Sequence, residues 1–352
     1  MSEARRIAFV VAGSLDQRTG GYLYDRAMVD GLRSQGRTVD VHELAGAFPL
    51  VDEAAQAAAA GAIDAIADAD IRIIDGLALV AFAGLADRIA RPWIALVHHP
   101  LGLETGLTPE QARSLTALET DLLRRPDRIV VTSPQTVRDL AGMDVPSDRI
   151  AVVVPGTARA EGDMPERHDP PRQLLSVASV TPRKGFPLLI EALAPLRDRD
   201  WHLAIAGSTT RDPGEAARVR EAIAANGLTD RIDLKGELNE RDLASLYDRA
   251  DLFVFASYHE GYGMALAEAL SHGLPIVSTN AGAIADTVPE TAGILVPPGD
   301  AKAMTEALRT VFDDSATFQR LLRGAGRAAL DLPTWDDSVA TLVIELDRRV
   351  RS

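Results

Sequence analysis

The feature that most constrains this chain is a repeated alternation of short, unbroken apolar runs with helical stretches. In the first half the runs are Ile7–Ala12, Thr38–His42, Ile71–Ile74, Trp93–His98, Arg128–Thr132 and Ile150–Val154. Helix-like segments fall between them, among them Tyr22–Arg33, the alanine-rich Glu53–Ala67, Pro109–Leu123 and Pro134–Leu140. A strand that reads as continuously apolar is covered on both faces, which is the condition of a parallel sheet flanked by helices. The pattern predicts an α/β, doubly wound architecture.

Periodicity stops around Pro155–Arg172, where four prolines and several charges predict a linker over residues 156–172. The alternation then resumes with runs at Leu174–Val180, His202–Ala206, Arg231–Leu234, Leu252–Ala256, Ile276–Ser278 and Ile294–Val296. The expectation is two Rossmann-like, parallel-sheet domains, residues 1–155 and 173–334, followed by a closing helix over residues 335–352. No internal repeat relates the halves. Ligands of open α/β sheets bind beyond the carboxyl ends of the strands, so two such sheets predict a cleft between their loop edges.

Several function classes are disfavoured by composition. Lys and Arg total 37 against 51 Asp and Glu, a net charge of −14. An acidic surface of that kind speaks against nucleic acid or an anionic membrane as the main partner. There are no cysteines, which removes disulfides, thiolate nucleophiles and Cys-ligated zinc. The longest apolar run, Gly76–Ala86, has 11 residues, against the roughly 20 a spanning helix needs. The start, Arg5-Arg6 followed by IAFVVAGSL, has the outline of a signal peptide but lacks an A-x-A cleavage site and runs into a Gly-rich turn. It is read as a buried first strand of a cytoplasmic protein.

Four places carry candidate chemistry, each just after a predicted strand. The most informative is the segment His259 to Leu270, HEGYGMALAEAL. Its glycines Gly261 and Gly263 let backbone approach a ligand, and the helix that follows offers amides from Gly261, Tyr262, Gly263 and Met264. Glu260 can accept from sugar hydroxyls, and Glu268, further into the helix, suits the vicinal diol of a ribose. The same residues also read as a simple helix start with a solvated Glu268. The second place is Thr181-Pro182-Arg183-Lys184-Gly185, whose adjacent cations suit a diphosphate, or else form a solvated basic turn. Lysine is rare here, three of 37 basic residues, which favours a specific role for Lys184. Third is Thr19-Gly20-Gly21, an anion-approach loop or a plain turn; it is neither a G-x-G-x-x-G nor a Walker motif. Fourth is His98-His99: His98 can donate to a substrate hydroxyl or serve structurally, and no metal ligand set is evident from sequence.

Taken in order, these pieces resemble the retaining GT-B glycosyltransferases of family 4, the glycosyl transferases group 1. The resemblance rests on Glu260–Glu268, preceded by ADLFVFAS (Ala250–Ser257) and followed by LPIVS (Leu274–Ser278) and GILVPPGD (Gly293–Asp300). It implies that the second domain binds a nucleotide-diphosphate sugar, a UDP- or GDP-sugar, as donor substrate. By the same resemblance Glu268 holds the ribose and Glu260 with the following amides holds sugar hydroxyls and phosphate. Lys184, aided by Arg183, then neutralises the leaving diphosphate without a required metal or other cofactor. His98 matches a histidine near the transferred sugar, Gly20-Gly21 matches a phosphate loop, and the closing helix over residues 335–352 is expected to cross back onto the first domain. One departure is Ala178-Ser179-Val180 where the family often carries G-R-L. Either Arg183 supplies the missing charge or the diphosphate is held with one cation fewer.

The implied activity is transfer of a hexosyl unit to an acceptor hydroxyl with the anomeric configuration kept. A non-catalytic nucleotide-sugar-binding subunit, a sugar-nucleotide epimerase of the same fold and a periplasmic-type binding protein are the rivals. Residues 38–71 contain no Lys or Arg and seven acids, which leans towards a carbohydrate or small soluble acceptor, with membrane contact at most peripheral.

Overall fold

A computed structural model describes residues 6–104, 106–160 and 165–348. Along the chain the first elements are β1 (Arg6–Ala12), α1 (Gly20–Ser34), β2 (Thr38–Leu44), α2 (Glu53–Ala65), β3 (Ile71–Asp75), α3 (Gly76–Leu79) and β4 (Trp93–Val97). They continue with α4 (Pro109–Leu123), β5 (Arg128–Val131), α5 (Pro134–Ala141) and β6 (Ile150–Val152). Next come β7 (Gln173–Val177), α6 (Phe186–Leu193), β8 (His202–Ala206), α7 (Pro213–Ala225), β9 (Ile232–Gly236), α8 (Glu240–Arg249) and β10 (Leu252–Phe255). The last are α9 (Met264–Ser271), β11 (Ile276–Thr279), α10 (Ile284–Thr287), β12 (Gly293–Val296), α11 (Ala301–Asp313), α12 (Ser315–Asp331) and α13 (Trp335–Arg348).

The chain forms two compact units, Met1–Gly156 with Pro333–Ser352, and Thr157–Leu332. Each is built on a six-stranded sheet whose neighbours all pair in parallel. The apolar run at the start of the chain is the inner strand β1, buried from Ile7 to Ala12. Its sheet has the order β2-β1-β3-β4-β5-β6. The second sheet has the order β12-β11-β10-β7-β8-β9, the dinucleotide-fold order read from the other edge. Strand order reverses beside β1 in one unit and beside β7 in the other, so turns leaving β1 and β3, and β7 and β10, splay apart and open a crevice. In each unit a separate apolar cluster lies on either face of the sheet, around Trp93 and Phe9 in the first, and around Trp201 and Phe253 in the second.

Sequence and structure differ at element ends. The run Leu174–Val180 is strand only to Val177, because the carbonyl of Ala178 packs against Gly207 and the chain bends there. Of the stretch expected to link the halves, 161–164 lie outside the described residues. Its end is pinned to the second unit: Arg167 donates to the carbonyls of Tyr247, Asp248, Ala250 and His272, while buried Asp251 accepts the amides of His168, Arg172 and Gln173. The closing helix α13 returns to the first unit and packs on α1, where Val339 occupies the space beside Gly31. Arg128 pairs with the buried Glu345 at 2.6 Å, Arg37 with Asp347 at 3.2 Å, and Ser338 Oγ donates to the Val154 carbonyl. Among the described residues no helix is long and apolar enough to cross a membrane.

Packing at the middle of α12 is tight enough to give a test. A Cβ at Gly324 would collide with the Thr291 carbonyl, a backbone atom that cannot rotate away. Helix propensity alone would make Gly324→Ala stabilising by about 1 kcal/mol. The clash should reverse that sign and cost about 1–3 kcal/mol in urea unfolding. A stabilised variant would show that α12 slides freely over the β12 edge.

Candidate active site

In the second unit the turn after β7 and the loop after β10 are laced together. Gly185 adopts φ +63°, and its α-carbon lies so close to the Ala256 carbonyl that no side chain fits. The Arg183 carbonyl accepts from the Tyr258 amide at 2.8 Å and from Ser257 Oγ at 3.1 Å. The Arg183 guanidinium donates to the His259 carbonyl at 2.6 Å. From the far side, Thr279 donates to the Ser257 carbonyl, Thr287 to that of Tyr262, and the Ala283 amide to that of Glu260. The segment from Ser257 to Gly263 is therefore held on both flanks before any ligand arrives.

Within this frame Lys184 Nζ donates to Glu260 Oε1 at 2.7 Å, and Arg183 lies 3.5 Å from the same oxygen. Lys184 also sits 5.3 Å above the Phe255 ring. Glu260 is buried, which by itself would raise its pKa. The charges of Lys184 and Arg183 and hydrogen bonds from Lys184 and Ser257 instead hold it down to about 2. Gly263 ends the loop at φ +90° and starts α9, and no side chain caps that helix. Five residues into α9, Glu268 is partly buried, and burial raises its carboxyl despite a bond from Tyr247 Oη at 2.9 Å.

The first unit gathers a second group at the carboxyl ends of β1, β3 and β4. Gly20-Gly21 opens α1 after Thr19, whose side chain makes no capping bond. A Cβ on Gly21 would lie 3.3 Å from the His98 ring, so this glycine leaves room for the imidazole. Its Nε2 is 3.1 Å from Asp25 Oδ1 and 3.5 Å from Asp75 Oδ2, and Tyr24 meets the ring edge-on at 5.3 Å. Burial would lower the His98 pKa, but the charge and hydrogen bond of Asp25 and the charge of Asp75 raise it above an ordinary histidine. Burial, reinforced by the charge of Asp25, pushes the Asp75 carboxyl up to about 7. His99 points elsewhere and pairs with Glu104 at 2.9 Å.

Of the residues singled out in the sequence, Arg183, Lys184, Glu260, Gly261, Tyr262, Gly263, Met264 and Glu268 thus share one rim of the second unit. Gly20, Gly21 and His98 share one of the first. Asp25, Asp75 and Tyr247 escaped the sequence reading. Asp25 lies one helical turn after Gly21, and Asp75 is a charge ending the apolar run IRIID, positions that do not single them out among the many acids of the chain. Among the described residues, Asp25, Asp75 and His98 are the group whose ligand atoms, all within 4.8 Å of one another, could hold a cation. The same spacing also suits proton sharing between the imidazole and the two carboxylates.

Helix starts separate these rims from the rest of the fold. Asp52, Thr108, Ser133, Asp212, Asn239, Asp300, Asp314 and Thr334 cap α2, α4, α5, α7, α8, α11, α12 and α13 with side-chain oxygens. Among described helices of eight residues or more, those without such a cap are α1, α6 and α9. They are the three that start at Gly20-Gly21, Gly185 and Gly263, and a helix start without a capping side chain suits an anion.

Comparison with known proteins gives the same assignment for both halves. Residues 163–327 match the glycosyl transferases group 1 family and residues 7–156 the glycosyl transferase 4-like domain. A D-inositol 3-phosphate glycosyltransferase of Salinispora tropica is 30% identical over 252 residues, 64% of this chain and 52% of that protein. The lipopolysaccharide core biosynthesis mannosyltransferase LpsB of Rhizobium meliloti is 31% identical over 222 residues, 59% of this chain and 61% of that protein. The chain thus spans less than two thirds of the length of either. In fold it is similar to sucrose-phosphate synthase from Thermosynechococcus elongatus, with TM-score 0.83, 21% identity and coverage of 98% and 99% of the two chains. It is also similar to Anabaena HepE in complex with UDP and glucose, with TM-score 0.79, 17% identity and coverage of 98% and 100%.

Two measurements test these charge arrangements. Glu260 is held ionised well below an unfolded glutamate, so its contribution is complete above about pH 4.3 and disappears as pH falls towards 2. Glu260→Gln should therefore cost about 3 kcal/mol at pH 7, with the gap to wild type narrowing as melts are run down from pH 5 to 3. A gap independent of pH would contradict the pairing. For the other rim, Asp25→Asn should lower the His98 pKa followed by NMR, and an unmoved titration would rule out Asp25 as its main partner.

Proposed function

The chain belongs to the glycosyl transferases group 1 of the GT-B, family 4 glycosyltransferases, and from that premise we propose that it moves a hexosyl unit from a nucleoside-diphosphate sugar to an acceptor hydroxyl with retention. The observation that carries this reading is the Lys184–Glu260 pair beside the uncapped start of α9. A fixed cation and free amides on one rim suit a diphosphate, and the carboxylate of Glu268 on the same helix suits a ribose diol. The complex of HepE with UDP and glucose is consistent with a uridine nucleotide as the base.

In this reading residues 173–334 hold the donor and residues 1–155 the acceptor. The bond between the anomeric carbon and the diphosphate oxygen breaks as the acceptor oxygen attacks from the same face. The acceptor's proton passes to the departing diphosphate. Lys184, with Arg183 behind it, stabilises the charge building on that leaving oxygen, the task a metal ion performs in other transferases. Arg183 already braces the His259 carbonyl, so it supports Lys184 more than it substitutes for an arginine at Ser179. Glu260 orients Lys184 and accepts from sugar hydroxyls.

The acceptor is a carbohydrate or other soluble hydroxyl compound. Support comes from the face around α2, where Glu43, Asp52, Glu53, Asp64, Asp68 and Asp70 are exposed with no Lys or Arg between 38 and 71. Such a surface is repelled by anionic lipid.

The test is donor turnover with UDP-, GDP- and ADP-sugars, with and without EDTA, scoring nucleotide release and the anomeric configuration of the product by NMR. Lys184→Ala should lower kcat by about 10²–10³-fold, the range for removing one preorganised stabiliser of developing charge. Full activity in that variant, an inverted product, or abolition by EDTA would each overturn the corresponding part of the proposal.

A further inference from the structure

We propose that Tyr247 is a positioning residue for the donor's ribose, acting through Glu268; this rests on the reading of Glu268 given above. Tyr247 lies on α8, sequence-distant from the loop and glycine motifs of the site, and is only 2% exposed. Its hydroxyl is 2.9 Å from Glu268 Oε2 and 3.3 Å from the Ala265 carbonyl. Its one proton therefore goes to the carboxylate or to the first turn of the helix that carries it.

The ring that aims this hydroxyl is fixed on both faces. It stacks on His272 at 5.1 Å and 16°, and on Phe253 at 6.1 Å and 19°. His272 is itself held by Asp248 at 2.8 Å, and Arg167 reaches the carbonyls of Tyr247, Asp248 and His272. A tyrosine so confined cannot follow a mobile carboxylate; the carboxylate must follow it. A glutamate has three rotatable side-chain bonds, and a diol needs both its oxygens in one plane. The Tyr247 bond takes one lone pair of Oε2, leaving its second and both of Oε1 for two sugar hydroxyls. Among the described residues no other hydrogen bond reaches Oε1. Tyr247 also opposes the effect of burial on Glu268 and so favours the ionised form that accepts from hydroxyls.

The experiment is calorimetric binding of whichever of UDP, GDP or ADP the wild type binds best, alongside its 2′,3′-dideoxy analogue. It uses wild type, Tyr247→Phe, Glu268→Ala and the double variant. Phenylalanine keeps both ring stacks, and equal melting temperatures confirm an intact fold. The expected result is about five- to tenfold weaker binding of the ribonucleotide by Tyr247→Phe, the size of one ordinary hydrogen bond, with dideoxy binding unchanged. In the Glu268→Ala background the tyrosine change should have no further effect. Undiminished ribose discrimination in Tyr247→Phe, or additive losses in the double variant, would overturn the role of Tyr247 while leaving Glu268 as the ribose carboxylate. A wild type that binds both nucleotides equally would overturn the ribose reading of Glu268 and this inference with it.

Discussion

Everything functional in this protein depends on the constraint that parallel strands cannot be joined by tight turns. Each strand must leave its carboxyl end, climb onto a face and descend to the amino end of a neighbour, so all outgoing turns of a sheet lie on one rim. Where strand order reverses, beside β1 and beside β7, adjacent outgoing turns head to opposite faces and leave a gap. Gly20-Gly21 and Asp75 flank one gap; Lys184 and Glu260 flank the other. The helices α1, α6 and α9 that begin at these gaps have no capping side chain. Every other described helix of eight residues or more spends a side-chain oxygen on its first amides.

The two rims solve the problem of buried charge differently. In the second unit one carboxylate meets two cations, so Glu260 stays ionised far below the usual carboxylate range. In the first, two carboxylates share one imidazole, and burial, reinforced by the charge of Asp25, pushes Asp75 up to about 7. A buried pair such as Lys184–Glu260 is costly to assemble and adds little net stability. Its retention at a strand end is better explained by orientation: the acid fixes where the ammonium points. Tyr247 repeats the device one helix away, with a rigid ring fixing a flexible carboxylate.

Much of the fold was legible because its signals are local. Unbroken apolar runs mark strands covered on both faces, and the run from Ile7 to Ala12 is buried throughout. The helix starts read at Pro109 and Pro134 are borne out by the capping bonds of Thr108 and Ser133. Element ends were less legible: the run to Val180 stops as strand at Val177 because Gly207, from the next βα turn, packs against Ala178. The glycine turns and Lys184, Glu260 and Glu268 could be picked out since each follows a strand. Asp25 and Asp75 could not be separated from other acids until their distance to His98 was known.

The sequence by itself determined which segments become strands and helices, which glycine and charged turns follow the strands, and the family to which the chain belongs. Those follow from periodicity and from motifs spanning a few residues, where chemistry and spacing are read together. Only the tertiary structure decided the partnerships. Lys184 reaches Glu260 across 76 residues and Asp25 reaches His98 across 73. It also decided that the closing helix pairs Glu345 with Arg128, and that a tyrosine on α8 reaches Glu268. Periodicity records which face of an element is buried, but not which residue of another element will be its neighbour. Strand order and the depth of each side chain set that, and they belong to the folded chain as a whole.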